Sequence, residues 1–228
     1  MIWSLPPGSS DQLSAVLVLR GTDRHGIEVR EQAQPTLEGN TCTGNAEDGI
    51  AYFEQSGGIA RQNTCAGNGL HGIGVSEEAQ PTLEENICGD NAEVGIRFSD
   101  SAGGLAQRNI CAQNGLHGIS VNDEARPTLE ENDVRNNTEV GIRYTGSSGG
   151  TARNNTCTGN GLHGFQIKEQ AGPTLEGNIS NDNVECGFGY FENAGGVARQ
   201  NRCTGNKWNM YVADTANPEL VGGGCSEG

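Results

Sequence analysis

The chain repeats itself every 23 residues, and this period constrains its fold more than any other feature. An asparagine returns at this interval eight times, and a second asparagine follows each of these five residues later. The first series is Asn40, Asn63, Asn86, Asn109, Asn132, Asn155, Asn178 and Asn201, and the second runs with the same step from Asn45 to Asn206. Fixed polar positions at a period of 20 to 50 residues are typical of stacked coils in a solenoid.

Each coil has short segments in which apolar residues alternate with outward ones, as in Gly26–Val29. Such alternation predicts short parallel β-strands that pair with the next coil about 4.8 Å away. One predicted core column is Ile27, Ile50, Ile73, Ile96, Ile119, Ile142, Phe165 and Phe188, and the second is Val29, Tyr52, Val75, Phe98, Val121, Tyr144, Ile167 and Tyr190. We interpret the asparagines as structural, because stacked amides satisfy the backbone of buried turns.

Alternate coils differ, so the full repeat is 46 residues. One column reads Glu38, Arg61, Glu84, Gln107, Glu130, Arg153, Glu176 and Arg199, which stacks opposite charges and fixes the register. Left-handed β-helices favour coils of about 18 residues, and parallel crossovers are usually right-handed. The sequence therefore predicts an all-β, single-stranded, right-handed parallel β-helix of about nine coils. We expect it to span residues 14–220, with 1–13 as a cap or the point where a longer rod was cut, and 221–228 as a tail.

The composition restricts the partners and the setting of the protein. Its 14 basic and 29 acidic residues give a net charge of −15, and no basic cluster interrupts this charge. We therefore expect neither nucleic acid nor an anionic membrane surface as a partner. The apolar run 15–19 is too short for a signal segment or a membrane span. The expected location is the cytosol if the chain is complete, and outside the cell if an upstream signal was removed.

Six of the eight cysteines share one column, in which Val134 and Ser180 take the two remaining places. These cysteines are Cys42, Cys65, Cys88, Cys111, Cys157 and Cys203. Small residues replace one another in this column, and cysteine buries well without forming a bond. We predict free thiols in a packed ladder, which suits a reducing compartment. The metal-binding spacing Cys-x-x-Cys is absent from the sequence.

All four histidines stand in one column at every second coil, about 9.6 Å apart. They are His25, His71, His117 and His163, and the intervening levels hold Asp48, Val94, Val140 and Cys186. At that separation two histidines cannot share a metal ion. Only His25–Asp48–His71 and His163–Cys186 offer neighbouring acid–base partners or ligands. A hydrogen-bonded turn histidine beside glycine is the structural alternative.

An acidic column is the feature that packing explains least. It consists of Glu31, Glu54, Glu77, Asp100, Asp123, Gly146, Glu169 and Glu192. Like charges about 5 Å apart repel one another by roughly 1 kcal/mol in water. A row of carboxylates is one way to hold calcium, so Glu31, Glu54, Glu77, Asp100 and Asp123 are candidate calcium ligands. Solvated carboxylates that splay apart are the alternative, and no other cofactor is expected.

The period, the Gly-Ile strand starts, the asparagine columns and the Pro-Thr-Leu-Glu turns resemble the right-handed parallel β-helix repeats of the pectin-lyase-like superfamily, including its carbohydrate-binding and sugar-hydrolysis repeats. The resemblance covers about residues 14–220 and implies a carbohydrate ligand on the outer face of one sheet. The catalytic motifs of polygalacturonases and the Asp-Pro-His-Asp of alginate epimerases are absent. Leu70-His71-Gly72 matches only part of the Gly-His-Gly of polygalacturonases.

Regular repetition favours recognition over catalysis, because an active site needs a singular group of residues. We therefore expect a noncatalytic module that presents a long face to a polysaccharide or another protein. The candidate ligand-binding residues on the Gly-Ile strands are Arg97, Arg143, Phe53, Phe191, Lys168 and Asn122. We expect the two phenylalanines to be exposed and able to stack on sugar rings.

Two alternatives stay open. The first is a polysaccharide lyase, hydrolase or epimerase that uses the same groove, with His71, Asp48, Glu77 and Asp100 as candidate catalytic residues. The second is end-to-end self-association through exposed coil edges.

Overall fold

The protein is a parallel β-solenoid of about nine 23-residue turns, as the sequence predicts. The computed structural model describes the backbone of residues 3–4, 12–13 and 17–225, and the side chains of 17–225. Every strand pair in this part of the chain is parallel. None of these residues form a helix long and apolar enough to cross a membrane.

Sheet A contains the Gly-Ile strands, one from each coil. Its strands are Trp3–Ser4, Ile27–Val29, Ile50–Tyr52, Ile73–Val75, Ile96–Phe98, Ile119–Val121, Ile142–Tyr144, Phe165–Ile167, Cys186–Tyr190 and Trp208–Val212. Ile73 lies between Ile50 and Ile96, which confirms the 23-residue step. Phe188 pairs with Met210, so the last step is 210 − 188 = 22 residues.

Sheet B receives two strands from each coil, and these form two columns. The first column is Gln12–Leu13, Thr36–Glu38, Ile59–Arg61, Thr82–Glu84, Leu105–Gln107, Thr128–Glu130, Thr151–Arg153 and Thr174–Glu176. The second is Val18–Arg20, Thr41–Thr43, Thr64–Ala66, Ile87–Gly89, Ile110–Ala112, Asp133–Arg135, Thr156–Thr158 and Ile179–Asn181. Val197–Thr204 spans both columns and pairs with Glu219–Gly224.

The solenoid boundaries can be placed on this strand map. Trp3–Ser4 and Gln12–Leu13 lie within the segment predicted as a cap, and they pair with the strands that begin at Ile27 and Thr36. Glu219–Gly224 continues sheet B beyond residue 220. The rest of the predicted cap, and residues 226–228 of the predicted tail, lie outside the described residues.

The core consists of stacked identical or similar side chains, one per coil. The predicted isoleucine column and the alternating column from Val29 to Tyr190 are buried along their whole length. Phe165 and Phe188 stack with ring centroids 4.6 Å apart. These columns are confirmed as the core, and each buried aliphatic or aromatic side chain contributes about 1.5–3 kcal/mol from its transfer out of water.

Both asparagine columns form hydrogen-bonded ladders, as predicted. The backbone N–H and the Nδ2 of Asn63 donate to Oδ1 of Asn86 at 3.0 and 2.9 Å, and the Nδ2 also donates to the carbonyl of Leu37. Asn68 makes the equivalent bonds to Asn91 in the second ladder. The side chains thus satisfy buried backbone groups that water does not reach, which explains why the asparagines repeat.

The charged column on sheet B also has the predicted structural role. Arg61 lies 2.7 Å from Glu38 and Arg153 lies 2.8 Å from Glu130, each pair joining neighbouring coils. Such exposed pairs contribute only about 0–1 kcal/mol each. The alternation of charge favours the correct pairing of coils, because a slip by one coil would place like charges opposite each other.

The prediction of free thiols is right for five of the six column cysteines and wrong for Cys203. Cys42, Cys65, Cys88 and Cys111 form an uninterrupted ladder of buried thiols. Cys203 forms a disulfide with Cys225. This pairing does not follow from the 23-residue columns, because Cys225 lies 22 residues later, in the shortened last step.

Candidate functional site

A shallow groove of about 470 Å³ lies on the outer face of sheet A, at the middle coils. Its lining includes His71, Arg97, His117, Asn122, Asp123, Arg143, Thr145, Gly146 and Glu169. Outward side chains of sheet A and residues of the adjoining turns form its walls. The groove brings together residues that the sequence separates by up to 98 positions (169 − 71).

Two histidine–arginine pairs stand in the groove, two coils apart. Arg97 Nη1 lies 3.5 Å from His71 Nε2, and Arg143 Nη1 lies 3.2 Å from His117 Nε2. A guanidinium only donates, so the contact with Arg97 assigns Nε2 of His71 as the acceptor of a neutral imidazole whose proton is on Nδ1. At His117 the backbone N–H of Val140 donates to Nδ1 at 3.4 Å, and Arg143 lies beside Nε2 as a neighbouring charge. Nδ1 of His117 faces the Glu139 carboxylate at 3.5 Å. The histidines are therefore held between a carboxylate and a guanidinium.

Both central histidines are neutral at pH 7. Burial lowers the pKa of His71 to about 4, and the neighbouring charge of Arg97 adds to this effect. Burial and Arg143 lower the pKa of His117 to about 4 in the same way. A histidine with so low a pKa is a weak base at pH 7.

The two groove arginines differ from Arg61 and Arg153 on sheet B, which each pair with a glutamate. Within residues 17–225, neither Arg97 nor Arg143 has a carboxylate oxygen within 4.0 Å. Both side chains are half-buried. A guanidinium carries five N–H donors, and one contact to a histidine leaves most of them free. The groove therefore offers guanidinium hydrogen-bond donors to an anion, although Glu93, Asp123 and Glu169 also line it.

The other two histidines of the column have aromatic neighbours. The rings of His25 and Phe53 have centroids 5.5 Å apart, and those of His163 and Phe191 are 5.3 Å apart. Arg30 covers Phe53, with its guanidinium carbon 4.3 Å from the ring centroid. Both phenylalanines are half-buried, which is less exposed than expected from the sequence.

Asp48 occupies the histidine column between His25 and His71. Its Oδ1 accepts the backbone N–H of His71 at 3.0 Å, and its Oδ2 lies 3.5 Å from Nδ1 of His25. Burial raises the pKa of Asp48 to about 7, although the bond from the His71 backbone opposes this. The contact between Asp48 and His71 thus runs through the backbone, and the His71 imidazole faces Arg97 instead.

The acidic column forms a third ladder, which its sequence did not reveal. Its seven acidic residues all have left-handed backbones, with φ between 56° and 62°. The backbone N–H of Glu31 donates to the Glu54 carboxylate at 2.7 Å, and Glu54 donates to Glu77 at 2.7 Å. The further bonds are Glu77 to Asp100 at 3.0 Å, Asp100 to Asp123 at 3.1 Å and Gly146 to Glu169 at 2.7 Å. Each of these five carboxylates thus binds the left-handed turn of the preceding coil.

The hydrogen bonds of this ladder occupy carboxylate oxygens that calcium would need as ligands. Among the residues that the structure describes, no three His, Cys, Asp or Glu side chains lie close enough together to hold a metal ion. One oxygen of each of Glu54, Glu77, Asp100, Asp123 and Glu169 is already occupied by a backbone N–H. The column named as a possible calcium site offers no such cluster in this part of the chain.

The groove gathers three of the predicted ligand-binding residues, Arg97, Arg143 and Asn122, with His71 and Asp123 from the catalytic and calcium hypotheses. Its lining does not include Phe53, Phe191, Lys168, Asp48, Glu77 or Asp100. Lys168 Nζ lies 3.5 Å from Glu192 instead.

Sequence reasoning missed His117 as a site residue. The signal was present, because His71 to Arg97 and His117 to Arg143 have the same 26-residue spacing. A comparison restricted to 23-residue columns does not show this spacing.

A protein-family model described as a right handed beta helix region matches residues 18–109 and 94–223. No curated protein matches the sequence.

Several solved structures share the architecture. The periplasmic alginate epimerase AlgG superposes with a TM-score of 0.72 at 14% identity, covering 90% of this chain and 61% of that chain. The A-module of the mannuronan C-5 epimerase AlgE6 from Azotobacter vinelandii gives 0.70 at 17% identity, covering 95% and 66%. The pectate lyase Pel9A gives 0.61 at 9% identity, covering 100% and 68%. The chain thus spans about three fifths of the length of AlgG, and these identities support a shared fold alone.

Proposed function

The chain belongs to the right-handed β-helix family, and from this premise we propose that it binds an acidic polysaccharide along the outer face of sheet A without altering it. The observation that carries the proposal is the pair of half-buried arginines, Arg97 and Arg143, that have no carboxylate partner among residues 17–225. By contrast, Arg61 and Arg153 on sheet B are each paired with a glutamate. A guanidinium binds a carboxylate through two parallel hydrogen bonds, so a sugar acid matches the groove better than a neutral sugar does.

The spacing of the two arginines favours a polymer over a single small anion. They lie on the same sheet position two coils apart, at about 9.6 Å along the axis. A polysaccharide with a carboxylate on each or every second sugar presents anions repeatedly along one direction. The names of the structural neighbours, alginate and mannuronan epimerases and a pectate lyase, agree with a polysaccharide ligand.

The net charge of −15 opposes the approach of a polyanion. Salt at about 0.1 M screens charges that lie more than about 10 Å apart, whereas contacts within the groove are screened much less. We therefore expect binding to survive moderate salt, because salt weakens the long-range repulsion before it weakens the arginine contacts.

A second candidate is an enzyme that removes a proton from a sugar acid, with a groove histidine as base and the adjacent arginine neutralising the substrate carboxylate. The proximity of His71 to Arg97 favours this candidate. The pKa of about 4 and the engagement of Nε2 by the arginine make the histidine a poor base at neutral pH. For this reason we rank binding without turnover first.

The test compares immobilised alginate and polygalacturonate with neutral dextran at 0.15 M salt. The proposal expects retention on the acidic polymers only, and an at least about tenfold weaker affinity for the double variant Arg97→Gln/Arg143→Gln, since each lost charged hydrogen bond is worth about 1.5–3 kcal/mol. Arg153→Gln/Arg199→Gln removes the same charge from sheet B and is the matched control.

The soluble fraction is analysed in parallel for shortened, unsaturated or epimerised sugars. New products that disappear in His71→Gln or His117→Gln would support the enzyme instead. Equal retention on dextran, or none on any polymer, would contradict the proposed function.

A further inference from the structure

The acidic column has a gap at the groove. At five levels, the N–H of a turn residue donates to a carboxylate oxygen of the next coil at 2.7–3.1 Å. Asp123 has the same left-handed backbone, with φ of 57°, but the next residue of the column is Gly146, which has no side chain. The Asp123 N–H has no acceptor among the described residues. The amide that elsewhere binds a carboxylate is therefore unpartnered here.

The backbone around Gly146 keeps this amide uncovered. A Cβ on residue 146 would lie 2.9 Å from the Asp123 nitrogen and 2.8 Å from its carbonyl oxygen, closer than real Cβ contacts. Glycine at this position thus removes both the carboxylate and the atom that would cover the amide. The Glu169 N–H also lacks an acceptor in this part of the chain, but there the column does supply a carboxylate, Glu192, which faces Lys168.

The position where the acidic ladder is broken lies in the groove that holds the two arginines. Asp123 and Gly146 line the same groove as Arg97 and Arg143. The two acidic side chains on this wall are already engaged, since Asp123 accepts the N–H of Asp100 and Glu169 accepts the N–H of Gly146. With Glu93, the groove lining holds three carboxylates and two guanidiniums. The free amide adds a donor that the chain itself uses for carboxylates.

We propose that a carboxylate of the bound polysaccharide docks on the Asp123 N–H, taking the place of the side-chain carboxylate that the repeat lacks at Gly146. This proposal rests on the proposed function and adds a subsite to it. It identifies the ligand group as a sugar carboxylate, and it places that group at the wall of the groove between the levels of Asp123 and Gly146.

The decisive experiment is an amide NMR titration of ¹⁵N-labelled protein with a trigalacturonate, and separately with its carboxyl-reduced counterpart. We expect a downfield shift of the Asp123 amide proton with the acid only. The Asp100 amide, which already donates to a carboxylate in the same column, is the internal control and should not shift. Hydrogen exchange of the Asp123 amide should slow about 100-fold at a ligand concentration 100 times Kd.

The outcomes separate this proposal from the proposed function. Shifts of the Arg97 and Arg143 side-chain N–H signals without a shift at Asp123 would overturn the subsite and leave polysaccharide binding intact. An equal shift with the carboxyl-reduced sugar would overturn the carboxylate assignment. No shift anywhere would overturn both.

A pair of variants tests the same point by affinity. Gly146→Asp supplies a carboxylate within the chain, and Gly146→Asn adds nearly the same volume without the charge. We expect Gly146→Asp to bind trigalacturonate about tenfold more weakly than Gly146→Asn, the equivalent of one charged hydrogen bond. Equal affinities would contradict the proposal, and the NMR titration decides the question if either variant fails to fold.

Discussion

The centre and the ends of the sheet A face carry histidines at the same position of the repeat, yet they surround them differently. At the centre the neighbouring side chains are Arg97 and Arg143. Nearer the ends they are Phe53 and Phe191. The backbone around the histidines is the same in both places, since His117 and His163 each accept the N–H of the next coil at Nδ1.

This difference shows where a regular solenoid acquires a site. The two asparagine ladders and the core columns repeat without interruption, so they cannot distinguish one coil from another. Outward positions on the next coil, 26 or 28 residues later, decide whether a histidine faces an arginine or a phenylalanine. At the centre, Arg143 and the missing carboxylate of Gly146 occur at the same coil, and the regular pattern is broken twice within one groove.

The largest expected difference between centre and ends concerns the asparagine ladder. Asn114→Ala should cost about 3 kcal/mol of unfolding free energy, because it leaves the N–H of Asn91 and the carbonyl of Cys88 buried without this partner. Asn45→Ala should cost only about 1 kcal/mol. The backbone N–H that loses its acceptor belongs to half-exposed Thr22, and water can take the place of the amide oxygen. Denaturant unfolding measures both, and equal losses would contradict a dependence on depth.

The C-terminal end is held by the disulfide rather than by further coils. Cys225→Ser should cost about 3 kcal/mol, the value for a closed loop of 22 residues. The loss should be local, with faster hydrogen exchange in Trp208–Val212 and Glu219–Gly224 but not in Ile96–Phe98. A reducing agent should reproduce the effect in the unmodified protein. Uniformly faster exchange along the whole rod would show that the ends and the centre unfold together.

The positive charge of Arg143 should affect the pKa of the central His117, whereas, among the described residues, no such charge acts on His163 near the end. Arg143→Gln should raise the pKa of His117 from about 4, though not to 6.5, because burial is the larger cause of the shift. Phe191→Leu, the matched change at the end, removes no charge and should leave His163 with a pKa lowered by burial. Imidazole proton NMR against pH measures both. An unchanged His117 would mean that Arg143 does not act on it.

The same shifts predict how stability depends on pH. The central histidines have folded pKa values of about 4, below the unfolded value of 6.5, so the unfolded state binds more protons between these limits. Stability should therefore fall as the pH drops from about 6.5 to 4. Asp48 acts in the opposite sense, since its pKa of about 7 gives stability that is lost as the pH rises through 7. His117→Gln should flatten the acidic limb in thermal melts, and Asp48→Asn the neutral one.

The smallest expected effect concerns the aromatic residues. Phe191→Leu should weaken binding to polygalacturonate by less than about threefold, because the ring lies against His163 and Tyr211 and is half-buried. Arg143→Gln, its counterpart at the centre, should weaken binding by about tenfold. A larger loss for Phe191→Leu would move the binding site from the centre of the face to its end.

Much of the fold could be read from the sequence, because stacking places residue i on residue i+23 and makes every core column visible as a list. The isoleucine column, the asparagine ladders and the charge alternation of Glu38 and Arg61 all follow from that single relation. The disulfide between Cys203 and Cys225 did not, because one residue is missing from the last step. The role of the acidic column could not be predicted either, because a glutamate in the sequence does not indicate a left-handed backbone.

The sequence by itself thus determined the period, the parallel pairing and the buried columns of this protein, because each is a contact between equivalent positions of neighbouring coils. The tertiary structure alone decided which nonequivalent side chains meet across coils, such as His71 with Arg97, and which amide is left without a carboxylate at Gly146. These contacts depend on the direction in which a side chain leaves its turn and on distances of a few ångströms between coils. A repeat unit specifies its own stacking, whereas a site depends on the places where the stacked units differ.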